Sequence, residues 1–123
     1  MTMPQNEIRF SVRGIPPSVN HYVQHTRSGH HYKTREARAF EAAMALGGRD
    51  YRDLMIEATE VDIILWLGPR QRGDVDNFPK IVFDSLVRAR IIRSDATIVR
   101  MLVEKHRGVT PQTDIYVRWE VTP

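Results

Sequence analysis

Cysteine is absent from this chain of 123 residues, which excludes disulfide bonds and cysteine-ligated zinc or iron–sulfur sites. No apolar run approaches the roughly 20 residues that a membrane-spanning helix needs. Residues 1–9 lack an apolar core, so no amino-terminal signal peptide is expected. Internal repeats, linkers and low-complexity tracts are also missing. These absences favour one domain, residues 1–123, working in a reducing cytoplasm.

The composition is that of an ordinary globular protein, with 41% hydrophobic and 27% charged residues. The length suits a single domain with its own hydrophobic core. The formal net charge is +3 and the sequence pI is about 9.6. This mild positive excess favours an anionic partner.

Hydrophobic periodicity predicts the element order β-α-β-α-β-β. The predicted strands are Ile8–Val12, Val61–Leu67, Ile98–Lys105 and Ile115–Val121, and the predicted helices run from the Thr34 cap to Leu46 and from near Asp76 to Ala89. We expect an α+β domain in which two helices pack on one face of a mixed sheet. The strand Val61–Leu67 is nearly all apolar, which predicts cover on both faces. The last two strands are expected to form an antiparallel pair.

A long polar and aromatic segment, residues 18–32, is predicted as a loop. Its histidines are His21, His25, His30 and His31. Zinc binding is not favoured, because no cysteine and no clear second half-site accompany them. Contact with phosphates or bases and a plain solvated loop both remain open.

The segment after the predicted strand Val61–Leu67 carries acidic residues whose spacing would bring them to one side of the backbone. Asp74 and Asp76 are two apart, so their carboxylates point to one side of an extended backbone. Asp76, Lys80 and Asp84 share one stripe if a helix begins near Asp76. Asp95 returns in a loop beside the next strand, where it could reach the first two. Carboxylates beside a lysine suit Mg²⁺ held against a phosphate, although turn, cap and ion-pair roles give the same pattern.

Arginines flank this acidic segment on both sides. The members of the set are Arg70, Arg72, Arg88, Arg90 and Arg93. Those before the acids would attract a phosphodiester toward three carboxylates. Those at the end of the helix would complement its dipole or meet a DNA backbone, and the sequence leaves both open.

Segments 74–80, 84–86 and 91–98 together resemble the signature block of the RusA-type Holliday junction resolvases. These are small endodeoxyribonucleases of bacteria and their phages. Segments 16–22 and 32–40 are similar to the amino-terminal half of that family. Two departures are visible: Ser94 precedes Asp95 where the family often has two acids, and Pro79 stands where a helix-forming residue is usual.

The resemblance implies a homodimer that uses Mg²⁺ to cut four-way DNA junctions during recombination and repair, and we expect Mn²⁺ to substitute. It implies that Asp74, Asp76 and Asp95 bind the metal and that Lys80 is a catalytic cation. Two further residues take supporting roles. Asn77 is expected to support the loop, and Asp84 to fix Lys80 or the fold, with an outer-shell metal role still open.

Two alternatives accompany this hypothesis. A nucleic-acid-binding module that has lost cutting is one, and Ser94 is its only sequence hint. A metal-dependent phosphatase is the other, but a small substrate needs no such extended basic surface. Glu104 and Asp114 fall outside the acidic set and are expected to tolerate neutralisation.

Overall fold

A computed structural model describes residues 6–17, 23–25, 31–69 and 79–121, with the backbone only at 23–25 and 31–33. The elements are β1 (Glu7–Arg13), β2 (Val23–His25), β3 (His31–Lys33), α1 (Arg35–Gly47), a 3-10 turn (Arg49–Tyr51), β4 (Glu60–Leu67), α2 (Pro79–Arg88), β5 (Arg100–Arg107) and β6 (Gln112–Arg118). The predicted α+β class, with two helices and a four-stranded mixed sheet, is confirmed. The predicted loop 18–32 differs, because β2 and β3 pair antiparallel within and just after it.

The main sheet has the strand order β1-β6-β4-β5. β6 is antiparallel to both of its neighbours, and β4 is parallel to β5. The predicted pairing of the last two strands is therefore wrong, since β4 lies between them. The helical crossover from β4 through α2 allows a parallel β5 at the sheet edge. β6 is then buried between β1 and β4 instead of forming a hairpin with β5.

One face of this sheet carries the hydrophobic core. Val61, Ile63 and Leu65 of β4 are fully buried, with Ile115 and Val117 of β6 beside them. The alternate β4 side chains are only partly buried, so the prediction that this strand is covered on both faces is wrong. Both helices pack on the core face, as predicted. We call the other side of the sheet the open face.

The sequence signals for α1 are confirmed in detail. The Thr34 hydroxyl accepts a hydrogen bond from the Ala37 amide at 3.2 Å, which caps the helix. Phe40 and Met44 are buried in the core. Gly47 ends the helix against β1, where a Cβ atom would lie 2.6 Å from the Ser11 carbonyl oxygen. Close backbone approach is thus the reason for glycine at this position.

The second helix has a sharply divided surface. Ile81, Val82 and Leu86 are buried in the core, whereas Lys80 and Asp84 are exposed. Predicted features at 76–78, including the helix start, lie outside the described residues. Within the described ranges, no helix is long and apolar enough to cross a membrane.

Candidate active site

Two hydrogen bonds hold the backbone in place where the chain leaves the carboxyl end of β4. The Gly108 amide donates to the Leu67 carbonyl at 2.8 Å, and Arg107 donates to the Gly68 carbonyl at 3.0 Å. Gly68 is buried and Pro69 is exposed. The predicted residues that follow lie outside the described residues: Arg70, Arg72, Asp74, Asp76 and Asn77. Their roles stay predictions.

Lys80 lies in the first turn of α2, directly after Pro79. Proline suits this position because its missing N–H would have no partner in a first turn. Asp84 is one turn further on, but the described contacts include no ion pair between the two side chains. The supporting role of Asp84, in fixing Lys80 or the fold, stays a prediction. The exposed ammonium faces no acidic partner within the described part of the chain.

Asp95 is exposed in a tight turn before β5. Ser94 accepts a hydrogen bond from the Ala96 amide at 3.0 Å, and the Asp95 carbonyl accepts one from Ile98 at 3.2 Å. The Thr97 hydroxyl donates to the Ala58 carbonyl at 2.6 Å, which fixes the turn to the segment before β4. Ser94 thus has a structural role where the family often has an acid.

The Asp95 turn and Pro69, the last described residue before Asp74 and Asp76, lie at opposite ends of β4. The Asp95 turn is joined to the start of β4, while Pro69 follows its last residue. Eight strand residues span about 25 Å. Helix α2 runs back along this length, because the segment after it pairs with Ile56 near the start of β4. Within one chain, Asp95 therefore lies about a strand length from Pro69.

Among the described residues, no group of three or more aspartate, glutamate or histidine side chains could hold a metal ion. Asp74 and Asp76 are not among those residues. The described part of the predicted set does offer one suitable ligand. The Asp95 carboxylate is exposed and makes no side-chain hydrogen bond with the described chain, and carboxylate oxygens are the donors that Mg²⁺ prefers.

Each predicted arginine near the end of α2 already has an acidic neighbour from another element. The pairs are Arg88 with Glu41 at 3.8 Å, Arg90 with Asp53 at 2.6 Å, and Arg93 with Glu57 at 3.2 Å. The arginine side chains are all more than 60% exposed, so such pairs add little stability. A phosphate would have to compete with these carboxylates. Contact with DNA stays a prediction for all three.

The open face holds a polar cluster that sequence reasoning missed. Asp114 accepts hydrogen bonds from Ser11 at 2.8 Å, Trp66 at 2.8 Å and Gln112 at 2.6 Å. Partial burial raises the pKa of this carboxyl. The hydrogen bonds from Gln112, Ser11 and Trp66 lower it by more, so the pKa lies below its ordinary value of 3.8. The sequence did contain a signal for this cluster: Asp114 lies inside a strand with alternating apolar residues, and a partly buried charge there needs hydrogen-bond partners.

Arg118 organises a second cluster on the open face. Its guanidinium lies 2.9 Å from Asp62, 3.4 Å from Glu7 and 3.7 Å from Glu60. The hydrogen bond that Arg118 donates to Asp62, and to a lesser extent its contact with Glu7, raises the pKa of Arg118 above its ordinary value. Arg100 lies across from Glu60 in the strand register, and Arg9 follows Glu7 on the same face of β1, so acidic and basic side chains are mixed at this end of the open face.

These features define a small α+β protein with an acidic segment between a central strand and a helix. The family described as Endodeoxyribonuclease RusA matches residues 14–118, which covers most of the chain. The chain belongs to the RusA endodeoxyribonuclease family. No match was found among curated proteins.

Proposed function

We propose that this protein is a Mg²⁺-dependent endonuclease that resolves four-way DNA junctions in recombination and repair. Family membership over residues 14–118 carries this proposal. The acidic residues of the predicted site lie within the matched range. Lys80, exposed at the start of α2, adds a cation without an acidic partner in the described chain.

Asp74, Asp76 and Asp95 would hold the metal, and Mn²⁺ is expected to replace Mg²⁺ there. Bound Mg²⁺ supplies a lowered pKa for an attacking water and neutralises charge on the phosphate. Lys80 acts as a point charge on the scissile phosphate, where it stabilises the charge that develops during hydrolysis. Asn77 supports the loop that carries the acids.

A homodimer follows from the reaction. Resolving a four-way junction needs two cuts related by two-fold symmetry, and a pair of identical subunits presents two identical sites in that relation. The chain supplies one acidic segment of this kind. Each subunit would therefore account for one cut.

The test compares a labelled four-way junction with a linear duplex of the same arms, with and without Mg²⁺. Paired nicks confined to the junction and dependent on the metal are expected. Junction binding without any cutting would favour the non-cleaving alternative. Equal cutting of both substrates would contradict junction selectivity.

A further inference from the structure

A row of four side chains crosses the main sheet on its open face, with one residue from each strand. Arg13 of β1 lies opposite Gln112 of β6, which lies opposite Trp66 of β4. Trp66 in turn lies opposite His106 of β5. Directly opposite residues project from the same face of a sheet. We call this set the end row, because Trp66 is the residue before the last of β4. A cation, an amide and two aromatic rings are therefore neighbours at one end of the sheet.

The two rings of the end row are stacked on each other. The ring centroids of Trp66 and His106 are 4.8 Å apart, and the ring planes are inclined by 27°. Trp66 Nε1 donates to the Asp114 carboxylate at 2.8 Å. His106 Nε2 lies 3.1 Å from the Glu104 carboxylate. Acids of the next row thus hold both rings by their polar edges. Exposed aromatic rings on a sheet are a recurrent means of binding unpaired nucleic-acid bases, since every base has a π-face.

A cavity of about 310 Å³ lies against the indole at this end of the sheet. Its lining residues, all of them described, are Trp66, Gly108, Val109, Thr110, Gln112 and Asp114. Gly108 leaves room beside the indole, because a Cβ atom there would lie 3.6 Å from Trp66 Cβ and 3.7 Å from Cε3. Val109 adds an apolar side chain that is 89% exposed. The volume is at the small end of the range for ligand pockets, which suits a single base.

Gln112 gives the cavity a hydrogen-bonding edge of defined polarity. Its Nε2 donates to Asp114 at 2.6 Å and to Ser11 at 3.4 Å. These contacts use the amino side of the amide, so the amide oxygen is left as an acceptor. A base with an exocyclic amino group offers the matching donor. Uracil has a carbonyl oxygen where cytosine has this amino group, and two acceptors do not bond to each other.

Arg13 ends the row with a positive charge. Its side chain is exposed and has no acidic partner among the described residues. Two strand spacings, about 10 Å, separate it from Trp66. A nucleic-acid strand that places a base against the indole can therefore bring a phosphate to this guanidinium.

We propose that the end row and its cavity bind one unpaired nucleotide of the DNA substrate. The base lies against the Trp66 and His106 rings, its amino group donates to the Gln112 amide oxygen, and Arg13 contacts a phosphate. The inference rests on the proposed function, which makes the ligand DNA, and adds a binding site outside the acidic segment. The unpaired base comes from a single-stranded region or from a pair opened at the branch point of a junction.

Tryptophan fluorescence tests the site without any cutting. The chain has two tryptophans, so Trp119→Phe leaves Trp66 as the only indole. Adding single-stranded oligodeoxycytidylate in metal-free buffer should quench this emission, because a base then lies against the ring. Trp66→Phe is the control, since the remaining Trp119 lies at the other end of the sheet and should keep its emission. Unchanged Trp66 emission at saturating oligomer would overturn the site.

Filling the cavity should weaken binding without altering the rings. Gly108 does not have left-handed backbone, so a side chain is tolerated there. Gly108→Leu should raise the dissociation constant for the oligomer about tenfold in fluorescence anisotropy, on the scale of one lost base–aromatic contact. His106→Ala, which removes one ring and leaves the loop unchanged, should have a similar effect. Parent affinity in both variants would contradict the proposal.

The edge of the base gives a test of the hydrogen bond to Gln112. Oligodeoxycytidylate should bind about fivefold more tightly than oligodeoxyuridylate, the scale of one hydrogen bond. Gln112→Leu should abolish this difference and leave the affinity for oligodeoxyuridylate at the parent value. Ser11→Ala is the control, because it removes another partner of Asp114 and should keep the difference. Discrimination that survives Gln112→Leu would contradict the contact.

Arg9 provides a matched control for the phosphate contact of Arg13. Both arginines are exposed on the same face of β1, but Arg9 lies opposite Tyr116, outside the end row. Arg13→Ala should reduce the slope of log affinity against log salt by about 0.7, the value for one phosphate of a single strand. Arg9→Ala should leave the slope unchanged. Equal slopes in the two variants would refute the role of Arg13.

A fluorescent base distinguishes the two sources of the nucleotide. 2-Aminopurine is placed at the branch point of a four-way junction or in the middle of one arm. A change of its emission at the branch point alone, lost in Gly108→Leu, assigns the site to an opened junction pair. No change at either place, with Trp66 still quenched by oligomers, assigns it to single-stranded DNA. A parent that cuts junctions but shows neither signal refutes this site alone. A parent that shows them and never cuts refutes only the proposed endonuclease.

Discussion

The Arg90 guanidinium donates to the Asp53 carboxylate at 2.6 Å, and both residues have left-handed backbone, with φ of 62° and 67°. The pair connects the turn after α2 with the segment before β4. Next to it, the Ile56 amide donates to the Ile91 carbonyl at 2.9 Å, and Ile56 and Ile92 form a parallel bridge. This connection aligns the end of α2 with the start of β4. Two residues with left-handed backbone, Asp53 and Arg90, therefore lie where the chain leaves α2 and returns to the start of β4.

Arg90→Gly should be more stable than Arg90→Ala by about 1 kcal/mol. A left-handed residue with a Cβ atom costs roughly 1–2 kcal/mol, and glycine avoids most of this cost while losing some unfolded-state entropy. Both variants lose the same exposed ion pair. Urea denaturation of the two proteins measures the difference.

Arg88 provides the matched control, because it is the last residue of α2, has no left-handed backbone and is also ion-paired. There the order should reverse, with glycine less stable than alanine by about 0.5 kcal/mol, the lower end of the helical range. If alanine were more stable than glycine at both positions, the left-handed backbone at residue 90 would not determine which variant is more stable.

Asp114 predicts a pH dependence of stability. Its pKa is lowered in the folded protein, because hydrogen bonds from Gln112, Ser11 and Trp66 outweigh its burial. A carboxyl with a lowered folded pKa stabilises above its unfolded pKa, and this stability is lost as pH falls through the folded pKa. Asp114→Asn should therefore reduce the free energy of unfolding at pH 7, and the difference from the parent should shrink below pH 3.8.

Asp50→Asn is the control for this titration, because Asp50 is exposed and has no described hydrogen bond. The free energy of unfolding of Asp50→Asn should match that of the parent both at pH 7 and below pH 3.8. An Asp114→Asn protein with the stability of the parent at pH 7 would return Asp114 to the tolerant group in which the sequence alone had placed it.

Local sequence signals predicted the elements that depend on few distant contacts. The Thr34 cap and the apolar stripe of α1 are properties of one short segment, and both are confirmed. The alternation of Ile8 and Val12 likewise identified β1. These signals work because helix and strand periodicities are visible without knowing the neighbours.

Features that depend on which strands meet could not be predicted in the same way. Strand order is set by the crossover through α2, so β4 separated the two strands expected to pair. Ile64 and Trp66 suggested a strand buried on both faces, but neither helix of the described residues covers them and both side chains are only partly buried. The partners of Asp114 come from three strands, and no local sequence pattern shows which residues of distant strands will meet. Asp95 and Lys80 were placed on the elements expected, while their grouping with Asp74 and Asp76 stays a prediction.

Arg93 allows a test of DNA contact at the end of α2. Glu57 lies 3.2 Å from its guanidinium and competes with any phosphate. If Arg93 contacts the backbone, Arg93→Ala should reduce the slope of log affinity against log salt by about one unit. Glu57→Gln should then strengthen binding, because it releases the arginine. Fluorescence anisotropy with a four-way junction at several salt concentrations measures both.

Arg70 and Arg72 are the comparison in the same assay, since both precede the acidic segment. Arg70→Ala and Arg72→Ala should each also reduce the slope of log affinity against log salt by about one unit if the replaced arginine contacts a phosphate. Unchanged slopes in all three arginine variants would assign the DNA surface to other residues.

Neutralising the predicted ligands should separate cutting from binding. Asp74→Asn, Asp76→Asn and Asp95→Asn each remove a ligand's charge and keep its shape. Each should lose nearly all Mg²⁺-dependent cutting. In metal-free buffer each should bind a junction at least as tightly as the parent, because one negative charge fewer opposes the phosphate. Near-parent cutting, or loss of folding with loss of activity, would mean that the acids have other roles.

Lys80 should behave differently from these acids, because its charge is predicted to act on the phosphate and not on the metal. Lys80→Ala should reduce single-turnover cutting about 10²-fold, the scale of one lost transition-state contact. The concentration of Mg²⁺ that gives half-maximal cutting should stay at the parent value. Asp84→Asn, one turn away and equally exposed, should change the rate far less, since no ion pair joins it to Lys80. An increased Mg²⁺ requirement in Lys80→Ala would instead show that Lys80 organises the metal site.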